Sequence, residues 1–485
     1  MNKKENKAEK DNKGLTADKD DFSEWFTQLM LKADLADYTD VSGCIVFKPG
    51  SYEIWEKLQK QVNDRFKKLG VRNSYFPIFI PEKYLNKEKE HVEGFSPEVA
   101  WVTQAGDTKL AERLAVRPTS ETIMYPSFSK WIRSWRDLPL KYNQWNNVVR
   151  WEFKHPVPFF RTREFLWNEL HTVFATEKEA MKEGFEILGS YDEVCKKYLA
   201  LYGLSGRKTE SEKFAGGVAS FKIHYIIPTG RVIEGPCFHH DGQNFAKAYD
   251  IKFLDEKGKE QYAWQNTYAI STRMLGAMFA VHSDDKGLII PPKIAINQIV
   301  IVPILFDDSK EKVLKEANRI SKELEEFNSF VDERDNYKPG FKFNEWELKG
   351  IPLRIEIGPR DMEKGKVILA RRDNSEKIIV DIKNVKKEAT KILEDIQNNL
   401  YEKSKKLFES KIEKADKLDK VKKIITDKKV ALSPMCNKPE CEEQIKTETG
   451  GAKAVFIAEN KNKTSDKCII CSKKADYLVY IGKTY

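Results

Sequence analysis

The chain has 485 residues, 84 Lys and Arg against 75 Asp and Glu, a formal net charge of +9, and 40% hydrophobic and 33% charged residues. At roughly 150 residues per domain this suits about three soluble domains; seven Cys are too few for a disulfide scaffold, and no apolar run approaches the ~20 residues of a membrane span. The basic excess suits a polyanion such as nucleic acid through phosphate neutralisation, and equally suits a simple solubility charge.

Residues 1–21 carry six Lys against six Asp and Glu and almost no apolar residue, which predicts a disordered tail on a cytosolic protein rather than a signal or transit peptide. Residues 22–288 read as one mixed domain. Ile54, Trp55, Leu58, Val62, Phe66 and Leu69 recur at helical spacing, Gly70 ends that helix, and Tyr75-Phe76-Pro77-Ile78-Phe79-Ile80 follows as an edge strand, where Pro is tolerated. Pro291-Pro292 marks a boundary. Over 289–402 a buried strand at Ile299–Ile304, a helix with Leu314, Ala317, Ile320, Leu324 and Phe327 on one face, strands at 351–357 and 366–370 and a helix near 387–407 predict a small α/β domain. Residues 403–485 form a last module. Within 402–430 eleven Lys face six acids, either a solvated helix face or an RNA contact.

Two cysteine pairs, Cys436-x4-Cys441 and Cys468-x2-Cys471, have the spacing of a four-thiolate zinc site, which is closed and structural. Disulfides are disfavoured in the cytosol. Cys44, Cys195 and Cys237 read as unpaired.

The most informative stretch runs from Val116 to Trp167. It begins Arg117-Pro118-Thr119-Ser120-Glu121, continues to Val149-Arg150-Trp151-Glu152, and turns through Pro158-Phe159-Phe160-Arg161-Thr162-Arg163-Glu164-Phe165-Leu166-Trp167. Arg offers a fixed fork of donors for phosphate oxygens and can stack on a planar base. This stretch resembles motif 2 of the class II aminoacyl-tRNA synthetases, with the amino-acid loop of the prolyl-tRNA synthetases of archaeal and eukaryotic type. Helix 54–69 with its strand resembles motif 1, which implies a homodimer. Ala269-Ile270-Ser271-Thr272-Arg273 resembles motif 3, although alone it reads as an ordinary helix N-cap. Ser96-Pro97-Glu98-Val99-Ala100-Trp101 and Asn143–Arg150 are further shared marks.

The resemblance implies an α+β protein: an antiparallel-sheet catalytic domain, an α/β anticodon-binding domain and a zinc-binding α/β module. It implies a proline–tRNA ligase using L-proline, ATP, Mg²⁺ and tRNA(Pro). Arg150, Arg161 and Arg273 would be the catalytic arginines; Thr162, Phe165, Glu234, Cys237 and Ser271 would help hold ATP. Thr119 and Glu121 would take the charged imino nitrogen, and Trp167, Glu169, His171, Phe214 and His239 would wall the proline pocket. Glu347 and Arg354 would read the anticodon, since a carboxylate and an Arg can discriminate guanine edges on splayed-out bases. Cys436, Cys441, Cys468 and Cys471 would hold zinc, and Glu234, a hard oxygen donor, Mg²⁺.

One stretch departs from the family: Glu234, Cys237 and Asp241 stand where Gln, Thr and Leu are usual. Either the pocket is retuned against an inhibitor spanning the proline and adenosine sites, or the amino-acid selectivity has changed. A catalytically silent tRNA-binding paralogue is the reading from another functional class, and the retained arginines argue against it.

Overall fold

The computed structural model describes residues 14–91, 98–152, 156–458 and 467–485, with side chains masked over 87–91. Residues 1–13, Ser96 and Pro97 lie outside the described residues. Residues 14–21 of the expected tail are anchored to the domain that follows. Leu15 and Ala17 pack on the main core, the Thr16 amide donates to Gln28 Oε1 at 2.8 Å, and Lys19 Nζ donates to the Ser283 carbonyl at 2.5 Å. A few apolar and anchoring groups outweigh the polar composition there.

The first domain is built on an antiparallel sheet in the order Leu204–Arg207, Ala219–Ile226, Val232–Gly242, Trp264–Ser271, Glu164–Phe174 and Leu140–Val149, with Arg72–Asn73 parallel at the edge. Side chains alternate across it. Phe238, Tyr268 and Leu170 face a helical layer made by Pro49–Lys68, Glu177–Leu199 and Arg273–His282, burying Leu58, Phe66, Tyr191 and Phe279 in one core. Helix Glu177–Leu199 starts on a capping box between Thr176 and Glu179. It approaches the sheet so closely that a Cβ on Gly184 would sit 2.0 Å from Phe238 Cζ.

The helix expected from Ile54 to Leu69 is Pro49–Lys68, ended by Gly70 at φ 76°. The strand expected at 75–80 is instead two short pieces, Arg72–Asn73 and Phe79–Pro81. Pro77 has no N–H to give a ladder, and Tyr75 (71% exposed) and Phe79 (45%) remain on the surface.

The second domain has the order Phe330–Val331, Ile299–Pro303, Leu353–Ile357, Lys366–Arg371 and Lys377–Asp381, parallel for the first three strands and antiparallel beyond. Helices Lys310–Glu323 and Val385–Ser410 bury Ala317, Ile320, Ile392 and Ile396 against it. The junction expected at 402/403 falls inside helix Val385–Ser410, because its C-terminal end packs Phe408 on a different cluster, with Val232 and Phe456. The third module has its own core around Val421, Ile424 and Ile445. Its strands nevertheless extend the first domain's sheet to eleven strands through the Ile457–Arg207 pairing. Helix Leu418–Thr426 turns Val421, Ile424 and Ile425 inward, as a solvated Lys-rich face requires.

Candidate active site

All the amino-acid and ATP candidates line one cavity of about 230 Å³ on the open face of the first domain's sheet. At one end lie the three arginines. Arg150 follows strand Leu140–Val149, donates Nε to the Pro118 carbonyl at 2.9 Å, and sits 5.2 Å from the Trp167 ring centre. Its two terminal amino groups have no protein acceptor among the described residues. Arg273 opens its helix, donating Nε to the Phe160 carbonyl at 3.1 Å and Nη1 to the Glu234 carbonyl at 3.2 Å. Burial lowers the Arg273 pKa, and the nearby Arg150 and Arg161 charges lower it further even as Glu234 opposes them. The group therefore favours an arriving anion. Thr162 is buried beside this end, Phe165 stands edge-on to Trp167 with ring centres 5.4 Å apart, and the Ser271 hydroxyl accepts from the Arg273 amide at 3.3 Å.

At the other end the loop Thr119–Glu121 follows buried Arg117, whose guanidinium donates to the carbonyls of Asn147 and Phe76, both at 2.8 Å. Sequence reasoning passed over Arg117, although its place directly before Pro118 was a usable signal. Thr119 Oγ1 donates to Glu121 Oε2 at 2.5 Å and lies 3.1 Å from Glu169 Oε1. Glu169 is a hub, accepting from the Ser120 amide at 2.9 Å, Asn146 Nδ2 at 2.9 Å, Gln144 Nε2 at 3.2 Å and the Ser120 hydroxyl. So many donors make it a fixed acceptor rather than a group free for chemistry. Burial raises the Glu121 pKa, with the His171 imidazole opposing and Glu169 adding to the rise. His171 Nδ1 is tied to the Tyr125 hydroxyl at 3.1 Å. His239 shares its Nδ1 with Ser220 Oγ at 2.7 Å under the Phe214 ring, 4.7 Å away, and burial keeps it neutral. The Trp167 ring lines the cavity, and its Nε1 is buried with no partner among the described residues.

The three departures have different surroundings. Glu234 lines the cavity, but Lys208 Nζ lies 2.6 Å from one of its oxygens and Lys222 Nζ 2.7 Å from the other. Burial pushes its pKa up, yet the two ammonium groups outweigh that and hold it well below the carboxylate range. Two cations already occupy the oxygens a dication would need, so the expected Mg²⁺ site at Glu234 does not fit this donor set. Neither lysine was foreseen; both lie on or beside the strands flanking Glu234. Cys237 lines the cavity, its thiol pKa raised by burial. Asp241 was expected near a pocket wall. It does not line the cavity itself; it is fully buried beside Glu121 and Thr267, which do, with neither oxygen in hydrogen-bonding geometry with a donor. Burial, with Glu121 nearby, raises its pKa well above the usual range.

Two further sites lie outside the cavity. Glu347 and Arg354 do meet, Oε1 to Nη1 at 3.5 Å. Arg354 is buried, gripped by Glu356 Oε1 at 2.9 Å and covered by the Phe343 ring at 4.4 Å, so Glu347 is the more accessible of the two. The sulfurs of Cys436, Cys441, Cys468 and Cys471 lie within 4.8 Å of one another, with Cys436 3.6 Å from Cys441 and 3.7 Å from Cys471. Thiolates ~2.3 Å from one tetrahedral ion would be roughly 3.8 Å apart. The set fits a single closed four-coordinate ion.

Comparison with known proteins accords with this layout. The family described as tRNA synthetase class II core domain (G, H, P, S and T) matches residues 101–282, the anticodon binding domain family residues 298–392, and the prolyl-tRNA synthetase C-terminal family residues 418–485. A proline–tRNA ligase of Ruminiclostridium cellulolyticum is 46% identical over 97% of this chain and 98% of its own, and a putative proline–tRNA ligase of Saccharomyces cerevisiae 43% identical over 97% and 73%. A crystal structure of prolyl-tRNA synthetase from Cryptosporidium parvum, complexed with halofuginone and AMPPNP, superposes with a TM-score of 0.93 at 44% identity, covering 97% of this chain and 99% of that one. With three successive domain families and full-length relatives in agreement, the chain belongs to the prolyl-tRNA synthetases of class II.

Proposed function

We propose that the chain is a proline–tRNA ligase that makes prolyl-adenylate and charges tRNA(Pro). The observation that carries this reading is the single cavity joining an arginine cluster to the Thr119–Glu121–Glu169 pocket. A proline carboxylate oxygen attacks the α-phosphorus of ATP, the bond to the bridging oxygen breaks, and pyrophosphate leaves. A terminal adenosine hydroxyl of the tRNA then attacks the acyl carbonyl. AMP leaves with the bonding pair, and the hydroxyl proton goes to the departing phosphate or solvent.

No side chain need act as nucleophile, so catalysis is positioning and charge stabilisation. Arg150, bonded to the Pro118 carbonyl just before the Thr119–Glu121 loop, takes the carboxylate and α-phosphate together; Arg161 and Arg273 take the outer phosphates, with Phe165 against the adenine. Glu121 pairs the charged imino group, and Thr119 accepts its second N–H. Trp167, Phe214 and His239 exclude water from the ring. Mg²⁺ would neutralise phosphate charge when it enters with ATP. Zinc in the four-cysteine site would hold the last module together without taking part in chemistry. Glu347, backed by Arg354, faces the anticodon.

The protein works in the cytosol as a homodimer, with Tyr75, Phe79 and Trp131 as exposed rings available to its interface. A second reading, altered selectivity, draws on Glu234 and Cys237, which line the same cavity. Amino-acid-dependent ATP–pyrophosphate exchange across all twenty amino acids decides between them. Proline as the preferred amino acid supports the proposal, and a different preference overturns it.

A further inference from the structure

The segment from Lys208 to Phe214 connects the last module to the active cavity. On the module side, Glu442, next to Cys441 on helix Pro439–Glu448, accepts a hydrogen bond from the Thr209 hydroxyl at 2.8 Å across 233 residues of sequence. Thr209 is 1% exposed and Glu442 8%, so neither has water as a ready substitute. Lys453 Nζ adds a second tie, 3.1 Å from Glu212. On the cavity side, Lys208 Nζ holds Glu234, and the Lys208 amide donates to the Ser220 carbonyl at 2.8 Å. The Ser220 hydroxyl in turn serves both His239 Nδ1 and the Phe214 amide, the latter at 2.9 Å. Glu212, Phe214, Glu234 and His239 all line the cavity.

We propose that Glu442 and Thr209 are positioning residues for the active site, through which the four-cysteine module sets the 208–214 segment and thereby Lys208 against Glu234. The inference rests on the ligase reading only for what fills the cavity. The physical reason is local. Glu442 is one residue from a cysteine whose place is fixed when the site holds its ion, so its carboxylate has little freedom, and the donors it meets, Thr209 at 2.8 Å and the nearby Ser211 hydroxyl, both lie on the segment that begins at Lys208. A bond to a charged acceptor in a buried setting is among the stronger polar links. Removing the Thr209 hydroxyl takes away the shorter of these supports and leaves Ser211 alone to hold the carboxylate, so the segment is held less tightly.

The test compares Thr209→Val, Glu442→Ala and Glu442→Gln in the full, metal-loaded chain. The Gln variant keeps an acceptor oxygen for Thr209 and is the conservative control. Three readouts are taken: metal content, AMPPNP affinity by calorimetry, and amide hydrogen exchange over 208–214. Thr209→Val and Glu442→Ala should keep a full complement of metal and weaken AMPPNP binding roughly five- to tenfold, as loss of one buried polar link allows. Exchange over 208–214 should rise in both, while Glu442→Gln stays within about twofold of the parent on every measure. Wild-type affinity and exchange in both disrupting variants would overturn the proposal. So would equal weakening in Glu442→Gln, or loss of metal in parallel with affinity, since either makes the link merely structural. Calorimetry and exchange do not require knowing the amino acid, so a chain that activates something other than proline leaves this test intact.

Discussion

Replacing Asp241 with Leu should stabilise the catalytic domain, and by more at higher pH. Asp241 is fully buried; the Thr267 hydroxyl beside it falls outside hydrogen-bonding geometry, and its weak support lowers the pKa by less than burial and Glu121 raise it. An unsatisfied buried polar group costs ~1–3 kcal/mol, which an apolar side chain of similar size removes. The second contribution depends on proton uptake. Burial and the neighbouring Glu121 raise the Asp241 pKa in the fold, so the native state keeps a proton that the unfolded chain releases above its ordinary pKa of ~3.9. Stability therefore falls with rising pH over the window from ~3.9 up to the raised native value, by about 1.4 kcal/mol per pH unit at most. The Leu variant lacks this loss, so its advantage widens as pH climbs through that window and is flat beyond it. For a domain of this size about 1 kcal/mol corresponds to roughly 2–4 °C in melting temperature. Thermal melts of both proteins from pH 5 to 8 give the comparison. A Leu variant that melts lower than the parent, or by the same margin at every pH, would refute the reasoning and mean that Asp241 is charged and paired.

Arg150→Ala should lower pyrophosphate exchange by about 10²–10³-fold, or ~3–4 kcal/mol, in a protein that melts normally; near-normal exchange would remove Arg150 from the chemistry. Glu121 must be anionic to hold a charged imino group, and burial raises its pKa. Proline affinity should accordingly be full above that raised value and fall as pH drops through it, at a higher pH than the ~4.3 of an ordinary glutamate, with the step absent in Glu121→Gln by calorimetry. Glu234→Gln strands two ammonium groups, so the ligand-free protein should lose about 2 kcal/mol while the stabilisation conferred by AMPPNP grows; an unchanged ligand-free melt counts against the pairing. Protein purified without chelators should carry one zinc per chain, and Cys441→Ser should reduce it; elemental analysis finding none in the parent would remove the metal site.

What was legible in the sequence is what local pattern encodes. Helical periodicity placed Ile54–Phe66 on one face, cysteine spacing gathered four sulfurs, and the Arg150 and Arg273 motifs marked strand and helix ends that meet in one cavity. What was not legible depends on pairing across the sheet. Lys222 faces Cys237 and His224 faces Glu234 in adjoining strands, with a register shift between them, and only that register brings the Lys222 ammonium to Glu234. Asp241 stands one layer behind the pocket wall, beside Glu121 and Thr267, which line the cavity, where the strand carries a register shift between His240 and Gly242. The last module was expected to stand apart because its core is local, whereas its edge joins Leu204–Arg207 through a single nonlocal pairing. The same nonlocality hid the Thr209–Glu442 link.

Charge accounts for why an acid is tolerated at position 234, on the edge of a triphosphate site. A lone carboxylate there would oppose every phosphate drawn in by Arg150, Arg161 and Arg273. Lys208 and Lys222 meet it with two ammonium groups, so the trio carries one net positive charge when all three are ionised and does not oppose an arriving phosphate. Those three charges also keep one another in place before any ligand arrives. Among the arginines, by contrast, mutual repulsion and burial disfavour the charged form of Arg273 until an anion enters. The site thus pairs a preformed, internally satisfied cluster with Arg150, whose terminal amino groups have no protein acceptor among the described residues. Positioning of the first without neutralising the second is what a reaction driven by phosphate charge requires.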